Sequence, residues 1–444
     1  MNMGFNFFKR LNLFAIISFL AMSSVVAKDI KVPQATASLR ITYDGQPFEG
    51  ENLSGSDILL FSILFEGEDL SGEEFEVFQE YYNDLLGKVR KGRTQNELEN
   101  AELIMKVMYD SVLSNYSRRQ TKLSVMFKTG NYNCVSSSLL FLALAKDCGL
   151  DARVQETSVH AFITVYTKDG QKFDVETTNP AGVNPGEKKM ISQNSSGSKK
   201  YTIVPKTYYS NRVEISDRKA VTLPAKNICA ELSDRNEFEK GIPLAASVYE
   251  FVTKEKAAVR KDYDAMCANF AAYANQNSQY EAALKLLRAV MDHYGKSDLL
   301  VRNYNDIAYN AVAESCNIND FKNARNLLVS YNYYLTDKTT QEIIDMIFES
   351  EKLEEIQELM HQNKFLEAAK LADEALSHQP QNQQFKRAKS NSLYNHGVSV
   401  HNQVVPLMNN KEYKEALQIL ENALKDNPEN QMIREDIKKV KSRM

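Results

Sequence analysis

In the second half of this 444-residue chain, an aromatic residue followed three positions later by alanine keeps returning: Tyr280 with Ala283, Phe321 with Ala324, Phe365 with Ala368, Tyr413 with Ala416. Each pair opens a stretch with apolar residues at helical spacing, and the starts lie 41, 44 and 48 residues apart. A unit recurring at such a period cannot bury its apolar face alone and must stack on its neighbours. From about Ala225 onward the chain is therefore expected to be helical almost to its end. Length leaves room for roughly two to four domains, so something different can precede this array.

The last two units agree further. Ala375 and Ala423 lie seven residues after the first alanine, and Pro380 and Pro428 five beyond that. Aromatic, Ala, Ala, Pro at these offsets resembles the second helix of a tetratricopeptide (TPR) repeat, where small residues permit close helix packing and Pro stops the helix. The resemblance covers roughly residues 226–444, but the spacings exceed the usual 34 of that family. The reading is a TPR-like, irregular array that implies a protein partner; an unrelated helical bundle would carry the same stripes.

The N-terminus has another character. Lys9 and Arg10 precede the apolar run from Leu11 to Met22, and Val25-Val26-Ala27 offers a small-residue cleavage site. Residues 1–27 are expected to be a signal peptide, placing the mature chain in the periplasm or outside the cell. No later stretch reaches the roughly 20 apolar residues of a membrane span. Basic and acidic residues number 54 and 58, a net charge of -4, which offers no footprint for nucleic acid. The five cysteines, at 134, 148, 229, 267 and 316, are an odd number, so at least one stays unpaired.

Residues 28–59 read as an extended segment, with Leu39, Ile41 and Tyr43 alternating against Arg40 and Thr42 before a turn at Gly45-Gln46-Pro47. A domain over 60–225 follows. Ser71-x-x-Glu74 and Thr94-x-x-Glu97 have the form of capping boxes ahead of two amphipathic helices. Asn133 can cap a helix ending at Gly149. A hairpin then runs from His160-Ala161-Phe162 through Lys168-Asp169-Gly170-Gln171 to Phe173 and Val175, with Asp174 and Glu176 on one side of the second strand. Ser-rich residues 193–200 read as a surface loop.

Chemistry concentrates in this region. His160 is the only histidine in the first 292 residues. Cys134 follows the cap Asn133, in the first turn of a helix, where free N–H groups and the helix dipole favour a thiolate. Cys148 lies roughly 21 Å away at the other end of that helix, beyond disulfide reach. A nucleophilic thiol needs a base, and the base needs a group that fixes its orientation. His160 can be the base, and Asp174 or Glu176 the carboxylate beside it. There is no metal-ligand spacing of Cys and His in the first half, no Asp-rich calcium loop and no phosphate-binding glycine loop.

The run from Gly130 through Asn133-Cys134-Val135-Ser136 to Ala145, then Gly149-Leu150, His160-Ala161-Phe162 and Asp174-Val175-Glu176-Thr177-Thr178, resembles the core of the transglutaminase-like superfamily. The resemblance implies an α+β papain/transglutaminase-like domain ahead of the helical repeats, with Cys134 as nucleophile, His160 as base and Glu176 in the position usually held by Asp. Asp174 is the alternative third residue, and Gln120 a candidate second oxyanion donor beside the Cys134 N–H. No cofactor is implied, and the calcium of animal transglutaminases is not carried over. The expected activity is cysteine-dependent acyl transfer on peptide or protein amides, with hydrolysis favoured over cross-linking. The alternative is a non-catalytic scaffold of the cell envelope in which the transglutaminase-like domain is vestigial.

Overall fold

A computed structural model describes residues 30–43, 46–67, 72–184 and 206–444. The expected signal peptide, the Gly45 turn, the Ser71 cap and the Ser-rich loop at 193–200 lie outside the described residues.

The chain begins with a pair of two-residue strands, β1 (Thr42–Tyr43) and β2 (Gln46–Pro47), then α1 (Gly55–Leu64), α2 (Gly72–Gly92), α3 (Glu97–Ser111), β3 (Asn115–Tyr116), α4 (Leu123–Thr129), β4 (Asn131–Tyr132) and α5 (Cys134–Asp147). Next come β5 (Asp151–Glu156), β6 (Ala161–Tyr166), β7 (Lys172–Val175), a 3₁₀ turn (Lys206–Tyr209), β8 (Val213–Ile215) and α6 (Asp217–Ala220). An α+β region is thus followed by an array of helices. The boundary expected at residue 59 falls inside α1, which packs on α5. The cap of α3 is Asn96, not Thr94: the Asn96 side-chain oxygen accepts from the N–H groups of Leu98 and Glu99, and the Thr94 hydroxyl accepts from Asn96 N–H instead. Asx caps reach the second and third amides more readily than a Thr two residues upstream.

Strands β7, β6, β5 and β8 form, in that order, an antiparallel sheet. The hairpin β6–β7 was legible; β5 and β8 were not. Asp151–Glu156 has charged ends and alternates polar with apolar residues between them; its polar face joins a network in which Arg153, Gln155 and Tyr166 all reach Glu214. Its other face, Ala152 and Val154, is buried with Ile163 and Val165 against α5. Gly149, at φ 76°, makes the turn from α5 into this strand.

The array comprises α7 (Leu223–Asp234), α8 (Phe238–Phe251), α9 (Lys256–Gln276), α10 (Tyr280–Tyr294), α11 (Asp298–Asn317), α12 (Phe321–Tyr331), α13 (Asp337–His361), α14 (Phe365–His378), α15 (Gln383–Asn409), α16 (Tyr413–Asp426) and α17 (Gln431–Lys441). Tyr280, Phe321, Phe365 and Tyr413 are the first residues of their helices, and Ala283, Ala324, Ala368 and Ala416 are all fully buried. Two residues before each aromatic the backbone turns left-handed, at Ser278, Asn319, Asn363 and Lys411. The next amide bonds a carbonyl five residues back, as in Gln279 to Ala274 and Asp320 to Ser315. This is a Schellman stop joining the paired helices.

A fifth copy escaped the sequence pattern. Asn236 (φ 58°) and the Glu237-to-Leu232 bond precede Phe238, but Gly241 stands where the others have Ala. A Cβ there would meet the Met266 methyl at 2.0 Å, so the Met266 side chain packs into the space that alanine fills in the other copies. The spacings follow the intervening helices: α11, α13 and α15 have 20, 25 and 27 residues.

The two regions share cores. Phe251 and Val252 join the core built around α5, while Phe238, Ile242 and Ala246 of the same helix pack with α9 and α10. Residues 30–39 are not a strand but lie along α8–α10: Tyr263 donates its hydroxyl to the Ala35 carbonyl, and the Ser247 hydroxyl oxygen accepts from the amides of Ser38 (3.1 Å) and Leu39 (2.9 Å). Ser247→Ala removes the acceptor of two amides and is expected to cost about 1–2 kcal/mol, read as a lower denaturant midpoint. An unchanged midpoint would show that this segment adds nothing to stability. Among the described residues, no helix is long and apolar enough to cross a membrane.

Candidate active site

The site is assembled from α5, β3–β4, the start of β6, the end of β7 and the 3₁₀ turn. Asn133 caps α5 as expected: its side-chain oxygen accepts from the amides of Val135 (2.9 Å) and Ser136 (3.1 Å), and the Ser136 hydroxyl accepts from Asn133 N–H. Both cap bonds go to the amides that follow Cys134, so the Cys134 N–H itself is not consumed by the cap. The Asn133 amide group also donates to the Arg118 carbonyl, and β3 pairs with β4 in parallel. The loop carrying Tyr116 and Arg118 is thereby held beside the helix start.

The serines after Cys134 are fully buried. Ser137 and Ser138 both bond the Thr177 hydroxyl (2.8 and 3.0 Å), and Tyr109 donates to the Thr177 carbonyl. These bonds clamp the end of β7 onto the first turn of α5. The polar run that marked this helix start in the sequence is therefore the link that fixes Glu176 relative to Cys134.

His160 precedes β6. Its Nε2 and the Glu176 Oε2 are 2.7 Å apart, with side chains 3% and 0% exposed. The thiol of Cys134, itself half-buried, lies near enough to act on the ring. Burial works against charge on this imidazole, yet Cys134 and Glu176 together push its pKa up to about 10. Burial likewise opposes ionisation of Glu176, but His160, Thr178 and Tyr209 hold it below the usual carboxylate value. The favoured state at neutral pH is an imidazolium held against the Glu176 carboxylate. Tyr116 senses the same charges: burial first, then Cys134 and Glu176, push its hydroxyl up to about 12.

Of the two carboxylates read from the sequence, only Glu176 meets His160. Asp174 is two residues back on the same side of β7, but it lies opposite Thr164, whose hydroxyl donates to it at 2.7 Å, and it pairs with Arg212 at 2.6 Å. Register decides this, because Glu176 continues the strand towards the end where His160 stands. Gln120 is committed elsewhere. Its amide donates to the carbonyls of Lys122 (2.7 Å) and Asn131 (2.9 Å), so it stitches the loop rather than facing an oxyanion.

Two residues of the site had no sequence signal. Tyr209 donates to Glu176 Oε2 at 2.5 Å, and its ring stands edge-on to His160 and Phe162, with centroids 5.9 and 4.9 Å apart. Gly182 lies where the chain folds back on β7: Glu176 N–H donates to its carbonyl at 2.9 Å, and a Cβ on Gly182 would fall 1.9 Å from the Glu176 oxygen.

All five thiols are free. Burial pushes Cys229 and Cys267 up to about 12 and also raises Cys148 and Cys316, so these four are poor nucleophiles. Cys134 alone is set against an imidazole. Among the described residues, no group of three or more His, Cys, Asp or Glu side chains could hold a metal ion. In comparisons with family models, curated proteins and solved structures, nothing matches this chain.

Proposed function

We propose that this chain is an exported cysteine-dependent acyl-transfer enzyme with a transglutaminase-like domain, acting on peptide or protein amides, and that its TPR-like helices hold a protein partner. One observation carries the reading: a fully buried Glu176 bonded to His160, with Cys134 at a helix N-terminus near enough to act on the same ring. A buried charged pair is costly to keep unless something uses it. The partner-binding part rests on the five Schellman-joined helix pairs, and export on residues 1–27.

In this mechanism the Cys134 thiolate attacks the amide carbon, forming a C–S bond and a tetrahedral oxyanion beside the Cys134 N–H. The intermediate collapses, the C–N bond breaks, and His160 gives its proton to the departing amine. His160, neutral again, takes a proton from water; the hydroxide attacks the thioester carbon, and the C–S bond breaks to free the acid and restore the thiolate and imidazolium. Glu176 stays ionised throughout and holds the ring.

The test is iodoacetamide alkylation of Cys134, followed by mass spectrometry on the peptide that carries it. At pH 6 an ordinary thiol, with pKa about 8.5, is almost wholly protonated. The folded chain is expected to react there all the same, and His160→Ala to react about 100-fold more slowly. Equal rates would overturn the catalytic reading and leave the helical array as the functional part, a non-catalytic scaffold.

A further inference from the structure

Glu176 has four hydrogen-bond donors and no exposure. Thr178 supplies two of them to Oε1, from its amide (3.0 Å) and its hydroxyl (2.6 Å). His160 and Tyr209 both engage Oε2. Tyr209 comes from the 3₁₀ turn, 33 residues further along the chain, and does two things at once. Its hydroxyl takes up the same oxygen that holds the imidazole, and its ring abuts the imidazole edge-on while packing on buried Phe162.

We propose that Tyr209 is a positioning residue of this site: its hydroxyl keeps Glu176 ionised and in place, and its ring fixes the plane of His160 for Cys134. The inference rests on the Cys134–His160 reading. Burial, and then the charge of Glu176, raise the Tyr209 hydroxyl well above its ordinary value. It therefore remains a donor at any working pH, and an O–H so placed favours the ionised carboxylate over the protonated one. The Tyr116 hydroxyl, raised first by burial and then by Cys134 and Glu176, the Tyr208 ring 6.2 Å from that of His160, and Cys134 also face this pair. Asp174, which also acts on Tyr209, is paired with Arg212.

The experiment compares Cys134 alkylation against pH in the full chain and in Tyr209→Phe, which keeps the ring and removes only the hydroxyl. The expected result at pH 7 is a rate about tenfold lower, the effect of one hydrogen bond to a charged group. The acid side of the profile is expected to move to higher pH, because Glu176 has lost a donor that favoured its ionised form. A merely structural tyrosine would lower the denaturant midpoint and leave the profile in place, and that result would overturn the proposal. If Tyr209→Phe does not fold, Tyr209→Met removes hydroxyl and ring together, and the same move of the acid side to higher pH is expected, its absence overturning the proposal. Failure of the underlying reading looks different: the unaltered chain would then alkylate without dependence on His160. If His160 matters but Tyr209→Phe matches the unaltered chain in rate and profile, the proposal alone falls.

Discussion

Glu176→Gln is expected to bring the titration of His160 down from about 10 by roughly two pH units. Burial works to lower this imidazole while Cys134 and Glu176 raise it, and the substitution removes the carboxylate charge while keeping its shape. The sign of the linked stability follows. His160 is raised above its ordinary 6.5, so its contribution is complete below that value and is lost as pH rises through about 10. Glu176 is held below the usual carboxylate range, so its contribution is present above about 4.3 and is lost as pH falls through its lower folded value. The pair thus stabilises the fold most between roughly pH 4.3 and 6.5, and Glu176→Gln should flatten the pH dependence at both ends. Nuclear magnetic resonance of the His160 ring protons reads the titration directly. A midpoint still near 10 in Glu176→Gln would mean that the carboxylate does not hold the base.

Gly182→Ala should be among the most damaging single-atom additions in the α+β region, at about 3 kcal/mol or more. The added Cβ would lie 1.9 Å from the Glu176 carbonyl oxygen and 2.8 Å from that of Asn179. Both are backbone atoms and neither can rotate aside, so residues 179–184 would have to leave β7. The bonds from Glu176 N–H to Gly182 and from Asn184 N–H to Asp174 would go with them. Because that turn holds the backbone of Glu176, the loss is expected in function as well as stability: a lower denaturant midpoint accompanied by slower Cys134 alkylation. Unchanged values of both would show that this turn bears no load.

What the sequence determined by itself is local. Asn133 before Cys134 satisfies helix amides two and three residues on, a condition contained in four neighbouring positions. The aromatic starts of α10, α12, α14 and α16 are set in the same way, since each is placed by a left-handed residue and a bond reaching only five residues back. The hairpin β6–β7 likewise follows from alternation around a Gly170 turn. Tertiary structure alone decided the rest. Asp174 and Glu176 are equivalent by spacing, and only the register of β7 and the clamp from Ser137 and Ser138 to Thr177 bring one of them to His160. Gln120 is a candidate oxyanion donor by sequence, but in the fold its amide donates to two carbonyls, one of them eleven residues away. Strand β5 alternates over only four residues between charged ends, too short a signal to stand out, and its polar face finds its partner only when β8 brings Glu214. Tyr209 has none at all, because its role depends on a carboxylate 33 residues earlier that is itself placed by the sheet. A cap or a stop is written in the residues that make it, whereas a buried charge takes its partners from wherever the packed chain delivers a donor.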